Sequence, residues 1–396
     1  MVPAAHSVFG FRLEGHMRRL LKLIGIGTIS LFLWAADTTA DELADPVEIL
    51  TDDGKAIGEL PAERNYIPFD AQRGDARMGV TTQGDIFVAL GDKLCSSSDD
   101  GRTWTSRDLP VGSEGFGVIA DDVLVLFGGW PSPVTMRSTD LGRTWSEPAP
   151  VDIASYEAGG GGLTHVSQLP NGPALMTVQL QYRADAIDPD TGQLRAGAQP
   201  GIYDHVYRST DGGRTWGDRS LICRDSAESS VILLQSGKML AAIRRQRSPQ
   251  RLLPGDDIEQ LKAMDGWRDG KIYLKHGFLA DSYDKGYTWE NVRLAPNTPD
   301  MKHGLCPSDF VQLPDGRVVW IYTHRYGKDS GVMARVSSDD GKTWSEVRYR
   351  VRHLRDQGAG TYPTNAVLAD GTILSVCSKN RGNRAIAIRW RLPAAK

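Results

Sequence analysis

The chain of 396 residues is poor in cysteine, has no excess of basic charge and opens on an apolar run too short to be a comfortable membrane span. Each scarcity excludes something. With 46 Lys+Arg against 49 Asp+Glu the formal net charge is −3, so there is no basic footprint and no nucleic-acid partner is expected. The four cysteines, Cys95, Cys223, Cys306 and Cys377, stand far apart, and no Cys/His cluster has zinc-ligand spacing. No metal or other cofactor is therefore expected. The cysteines allow three disulfide pairings, among which the sequence does not choose, and buried thiols are an equal alternative. The apolar run, Leu23 to Trp34, follows the basic Met17-Arg18-Arg19-Leu20-Leu21-Lys22 and precedes Thr38-Thr39-Ala40, a small-residue cleavage site. Residues 1–40 thus read as a signal peptide, with Met17 as an alternative start and an uncleaved anchor as the competing reading. Residues 41–396 read as one domain that leaves the cytoplasm, periplasmic or secreted, with no stable membrane span.

What the chain has in quantity is repetition. Ser-x-Asp-x-Gly-x-Thr-Trp occurs five times, at Ser97–Trp104, Ser138–Trp145, Ser209–Trp216, Ser282–Trp289 and Ser337–Trp344, and supplies five of the ten tryptophans. In each copy the Asp and Ser/Thr oxygens can accept from turn N–H groups, Gly supplies a positive φ, and Trp can fill a seam between units. Between the copies lies a second repeat, an alternating apolar run, a turn and another run. It spans Arg77–Leu90 around Gln83-Gly84, Glu114–Gly129 around Asp121-Asp122, Thr164–Gln179 around Asn171-Gly172, Glu228–Arg244 around Ser236-Gly237, Pro307–Tyr322 around Asp315-Gly316 and Tyr362–Cys377 around Asp370-Gly371. Such patterning is a strong hairpin signal. Six hairpins, five of them followed by a box hairpin, predict an all-β six-bladed β-propeller of four-stranded antiparallel blades. The last blade lacks a box. Arg384–Trp390 offers it a third strand, and the segment near Val47 to Ile57 is expected to close the ring. Pro249 to Lys271 is the one long insertion.

Hairpin counting locates candidate site residues. Glu228 lies eight residues before Ser236 and Arg244 eight after, so the two should face each other across the pair. The same count brings Arg77, Asp92, Gly129-Trp130, His165, Arg325 and Tyr362 to the corresponding end of their hairpins, around one mouth of the central channel. A plain cross-strand ion pair explains Glu228 and Arg244 equally well, and His165 reads more readily as a satisfied strand histidine.

The eight-residue box resembles the Asp-box of sialidases and several other propellers. Arg77-Met78-Gly79-Val80 is similar to the first-blade arginine motif of exo-sialidases, where Arg-Ile-Pro is usual. Glu228-Ser229-Ser230, with Leu233, Gly237 and Arg244 following, resembles the segment that carries their glutamate and second arginine. Tyr362-Pro363-Thr364 resembles the segment with their nucleophilic tyrosine. The ending from Gly360 to Pro393 looks like bacterial secreted sialidase-like, or BNR-repeat, proteins, and the likeness covers roughly residues 65 to 393. It implies an exo-glycosidase for sialic acid or a related acidic sugar, with Tyr362 as nucleophile, Glu228 as its base and Arg77, Arg244 and Arg325 on the substrate carboxylate. Arg335 is the reserve for the third arginine. Such enzymes also use an acid/base aspartate on a loop after the first hairpin, and here that loop is missing. Asp92 is the candidate, with Asp75 in reserve. A propeller that binds acidic glycans without cleaving them, or one that binds a protein partner, remains the alternative.

Overall fold

The computed structural model describes residues 42–68, 75–153, 157–159, 164–182, 202–224, 226–247, 267–268, 271–272, 274–296, 308–325, 330–354, 361–379 and 384–394. The chain divides into Met1–Glu42 and Leu43–Lys396, and the second unit holds every strand discussed below. The expected signal segment, Cys306 and most of the Pro249–Lys271 insertion lie outside the described residues. No helix among the described residues is long and apolar enough to cross a membrane.

The second unit is all-β, and its strands fall into antiparallel groups that each begin with one of the expected hairpins. The first group is Arg77–Val80, Ile86–Leu90, Lys93–Ser97 and Thr105–Asp108. The second is Ser113–Ile119, Val123–Gly128, Val134–Ser138 and Ala149–Pro150, and the third Thr164–Gln168, Ala174–Tyr182, Ile202–Ser209 and Gly217–Arg224. The fourth is Ser226–Leu233, Met239–Arg247, Leu274–Ser282 and Glu290–Leu294, and the fifth Ser308–Gln312, Val318–His324, Gly331–Ser337 and Arg348–His353. The last is Thr361–Val367, Ile373–Lys379 and Arg384–Trp390, completed by Ala62–Pro68. Each hairpin turn contains a residue with positive φ: Gly84 at 89°, Asp121 at 61°, Asn171 at 49°, Gly237 at 86°, Gly316 at 88° and Gly371 at 82°. Gly, Asn and Asp are the residues that tolerate this region.

The closing strand differs from the expectation. Val47–Leu50 pairs with Arg348–His353 and, with Ala56–Leu60, extends the fifth group outward. Ala62–Pro68 is the strand that completes the last group, running antiparallel to Arg384–Trp390 from Ala62↔Trp390 to Pro68↔Arg384. Both segments alternate weakly, and pattern alone does not rank them. The pairing is decided by the partners: Ile67 is buried against the core of the last and first groups, while Val47 is buried among residues of the fifth.

Apolar clusters join consecutive groups all the way round. Leu94 packs with Phe116 and Leu124, Val125 with Met176, Leu175 with Met239, Leu240 with Trp320, Ile321 with Ile386, and Val376 with Val88. The first strands approach one another at the centre, and Ser113–Ile119 pairs in parallel with Thr164–Gln168 through Thr164↔Gly115 and His165↔Phe116. That approach leaves no room for a side chain at Gly117, whose added Cβ would lie 2.2 Å from the Val166 carbonyl oxygen.

The five boxes form one repeated turn. Ser97 Oγ donates to Asp99 Oδ1 at 2.8 Å and accepts from Gly101 N at 2.9 Å. Asp99 Oδ1 accepts from Thr103 N at 2.8 Å, and Oδ2 accepts from Thr103 Oγ1 at 2.6 Å. The Thr hydroxyl bond has the same 2.6 Å length at Asp140, Asp211, Asp284 and Asp339. Each box turn joins a third strand to a fourth, so in a meander it shares an end with the first-to-second turn. The starts of the first strands lie at the opposite end.

Two outcomes follow for stability. Gly117→Ala should lower the unfolding free energy read from a denaturant titration by about 2–3 kcal/mol, because the obstacle is backbone. Gly112→Ala, where nothing lies within 4 Å, should be near neutral in the same titration. The Thr103 and Thr288 hydroxyls, followed by their amides, hold Asp99 and Asp284 down to about 2. A depressed folded pKa contributes stability that is complete above the unfolded value of about 4 and is lost as pH falls toward 2. Thermal scans between pH 5 and pH 2 should therefore show a steep loss that Asp99→Asn makes shallower.

Candidate active site

The first strands deliver Arg77, Glu228 and Tyr362 from three different groups to the end of the ring away from the boxes, and all three are buried. Arg244 comes from the strand paired with that of Glu228, and Arg325 follows the strand Val318–His324. Glu228 is the centre of the arrangement. Its Oε1 lies 2.9 Å from Arg244 Nη1 and accepts from the Tyr362 hydroxyl at 3.5 Å. The Arg325 guanidinium lies over the Tyr362 ring, 5.8 Å from its centroid, within cation–π range. Arg325 Nε and Nη2 and Glu228 Oε2 are buried with no hydrogen-bond partner among the described residues.

A bulge creates this geometry. The pairing passes from Ala227↔Arg244 to Ser230↔Ala242, so the first strand carries one extra residue there. Glu228 takes it up with φ at 50°, the left-handed region that a residue with a Cβ rarely occupies. Counting outward from the turn without the bulge pairs Glu228 with Arg244. The observed register pairs Ala227 there, and the side-chain ion pair forms nonetheless.

The electrostatics of the mouth are set by burial among mixed charges. Burial pushes Asp75 up to about 7; Glu228 and Glu114 add to this, and Arg77 and Arg325 oppose it. Burial likewise pushes the Tyr362 phenol up to about 12; Glu228 and Asp75 reinforce the rise, and Arg325 and Arg244 only partly offset it. The arginines alone would lower the phenol pKa, but in the folded protein desolvation and two carboxyl groups outweigh them. Burial lowers the pKa of Arg77, whose guanidinium donates from Nε to the Thr164 carbonyl at 3.2 Å and from Nη1 to that of Ala76 at 2.7 Å.

The remaining candidates occupy varied places. Asp92 is exposed in the tight turn between Ile86–Leu90 and Lys93–Ser97, and its carbonyl accepts from Leu109 N at 2.8 Å. It lies on the mouth side but on the outer strands. Arg335 pairs with Asp52 and donates to the Ser345 carbonyl beside a box, at the other end of its strand. Trp130 packs edge-on against Phe127. His165 is held well below its usual range by burial and then by Arg77, with Nδ1 4.0 Å from Asp309 Oδ1.

Sequence reasoning did not single out Asp309, Asp204 or Gln179. Asp309 Oδ2 accepts from Asn365 N at 3.0 Å and Nδ2 at 3.1 Å, and burial pushes its carboxyl up to about 6. Asp204 is likewise raised to about 6 by burial, against the pull of its bonds from Ser229. The available signal was a lone acid inside a strand of otherwise buried residues, as in Ile202-Tyr203-Asp204-His205-Val206-Tyr207. Among the described residues no group of His, Cys, Asp and Glu could hold a metal ion.

Solved structures share this architecture at low identity. A protein of unknown function from Dyadobacter fermentans DSM 18053 is 17% identical, with a TM-score of 0.57 over 88% of this chain and 99% of its own. The alpha-L-arabinofuranosidase of Fusarium graminearum, in complex with an iminosugar inhibitor, is 12% identical, with a TM-score of 0.54 over 87% of this chain and 97% of its own. The Trypanosoma rangeli sialidase, as a covalent intermediate with 2,3-difluorosialic acid, is 15% identical, with a TM-score of 0.52 over 83% of this chain and 58% of its own. No family model and no curated protein matches the chain. What is shared is the fold, the curled β-sheets of propeller glycoside hydrolases.

Proposed function

We propose that the chain is an exported six-bladed propeller that hydrolyses a terminal sialic acid or related acidic sugar with retention. The observation that carries this reading is the Glu228 carboxylate shared between the Tyr362 hydroxyl at 3.5 Å and Arg244 at 2.9 Å, with Arg325 over the phenol ring. A carboxylate on the anomeric carbon would repel an anionic Asp or Glu nucleophile, and a neutral tyrosine avoids that repulsion. The raised pKa keeps Tyr362 neutral until Glu228 takes its proton during attack. The bond from the anomeric carbon to the leaving oxygen breaks as the bond to Tyr362 Oη forms. Water then replaces Tyr362 with a second inversion. Arg325, with two nitrogens unpartnered, and Arg77 and Arg244 beside it supply the charge for the substrate carboxylate.

Asp75 is the proton donor we propose in place of Asp92. Asp75 is raised to about 7 and feels the charges of Arg77, Glu228 and Arg325, whereas Asp92 is exposed on the outer strands. A carboxyl with that pKa is protonated on the acid side of neutrality, donates to the leaving oxygen and, once ionised, can accept a proton from the attacking water. The arabinofuranosidase fold names a competing substrate class, a neutral pentofuranoside, which needs no arginine clamp. Two of the three arginines already contact protein groups, which is the observation in its favour.

The test is a panel of aryl glycosides together with trapping. Incubation with 2,3-difluorosialic acid should add one sugar mass to a peptide containing Tyr362, and Tyr362→Phe should show no adduct and lose turnover by about 10⁴-fold or more. Folded protein that cleaves no acidic-sugar glycoside and forms no adduct would sink the reading, and cleavage of only the arabinofuranoside would replace it. Because Asp75 must be protonated, kcat/KM should fall as pH rises through about 7. Asp75→Asn should remove that limb and lower kcat/KM for substrates with poor leaving groups by about 10²-fold or more, while sparing kcat/KM for 4-nitrophenyl glycosides.

A further inference from the structure

The bulge at Glu228 takes two backbone N–H groups out of the strand ladder, and both find acceptors in the neighbouring third group. Glu228 N donates to Gln179 Oε1 at 3.0 Å, and Ser229 N donates to Asp204 Oδ2 at 2.8 Å. Gln179 and Asp204 are direct cross-strand partners, so their side chains stand on one face of that sheet, toward the bulge. Asp204 is itself anchored. Its N–H donates to Ser226 Oγ at 2.7 Å, and that hydroxyl donates to the Cys223 carbonyl at 2.6 Å. On the other side Ser230 Oγ donates to the Ser308 carbonyl of the fifth group at 3.0 Å. The strained residue is therefore braced from both neighbouring groups.

We propose that Asp204 and Gln179 are positioning residues that hold Glu228 in its left-handed conformation and so direct its carboxylate at Tyr362 and Arg244. A regular strand would satisfy these amides with ladder carbonyls and turn alternate side chains to opposite faces. Only when other acceptors take the amides can residue 228 depart from that alternation. A buried carboxylate is costly to keep, and Asp204, 1% exposed, has no ion pair among the described residues. Its placement is explained by the amide it accepts. Gln179, 4% exposed, supplies the same service to the preceding amide without a charge.

This inference rests on the glycosidase reading for its kinetic arm, and a second arm is independent of it. Asp204→Ala should lower kcat by about 10–100-fold with KM changed less than about threefold, since a misplaced Glu228 affects proton transfer more than carboxylate binding. Asp204→Asn keeps an oxygen acceptor and should recover most of kcat. In amide hydrogen exchange, Ser229 in Asp204→Ala should exchange at least about tenfold faster, while amides of Ile373–Lys379 in the last group stay as in the parent protein. Gln179→Ala should do the same at Glu228. If the parent protein cleaves no glycoside, the exchange arm alone decides. Unchanged protection of Ser229 in Asp204→Ala, or equal loss of kcat in Asp204→Ala and Asp204→Asn with full protection retained, overturns the proposal. If Asp204→Ala does not fold, Gln179→Ala carries the same two measurements, with exchange read at Glu228.

Discussion

Everything in this molecule depends on a carboxylate closing a turn. In each box one aspartate gathers the amide and hydroxyl of a threonine four residues on and the hydroxyl of a serine two residues back. The turn this makes is compact enough to press into the next group. A Cβ on Gly142 of the second box would lie 2.4 Å from Leu94 of the first group, and one on Gly341 of the fifth box 2.7 Å from Leu240 of the fourth. The box is thus a rivet between neighbours as well as a turn, and repetition of the rivet holds the apolar seams in register. The last group has no box and is held instead by the strand Ala62–Pro68 and by Trp390, whose indole donates to Ser375 Oγ at 3.0 Å.

With one end of the ring given to rivets, the other is available for chemistry. The first strands begin there, and they converge at the centre, so residues far apart in sequence meet. Tyr362 and Glu228 are 134 residues apart and share a hydrogen bond. The mouth collects carboxyl groups as well as arginines, and the balance decides its character. Burial raises the carboxyls of Asp75, Asp204 and Asp309; Asp75, at about 7, is partly protonated near neutrality, whereas Asp204 and Asp309, at about 6, are largely ionised there.

Much of this was legible in the residues. The boxes and hairpin turns were, because Asp, Asn and Gly at fixed spacing are demanded by local backbone conformation. The meeting of Arg77, Glu228, Arg244, Arg325 and Tyr362 followed from counting strands outward from those turns. The count failed in two places for one reason. It cannot see an inserted residue, so it misses the bulge at Glu228, and it cannot rank two weakly alternating segments, so it misassigns the closing strand. The count put Asp92 ahead of Asp75 for a related reason. Both stand near strand ends, and residue spacing does not show which of them folding desolvates.

The sequence by itself determined the repeat, the turn chemistry and which end of the hairpins would carry charge, since each is a property of residues within a few positions of one another. The tertiary structure alone decided which strand closes the ring, which acid is desolvated and which side chains catch the amides freed at Glu228. Those are relations between groups that are adjacent in space and remote along the chain. Burial and register, on which they depend, exist only once the sheets have packed.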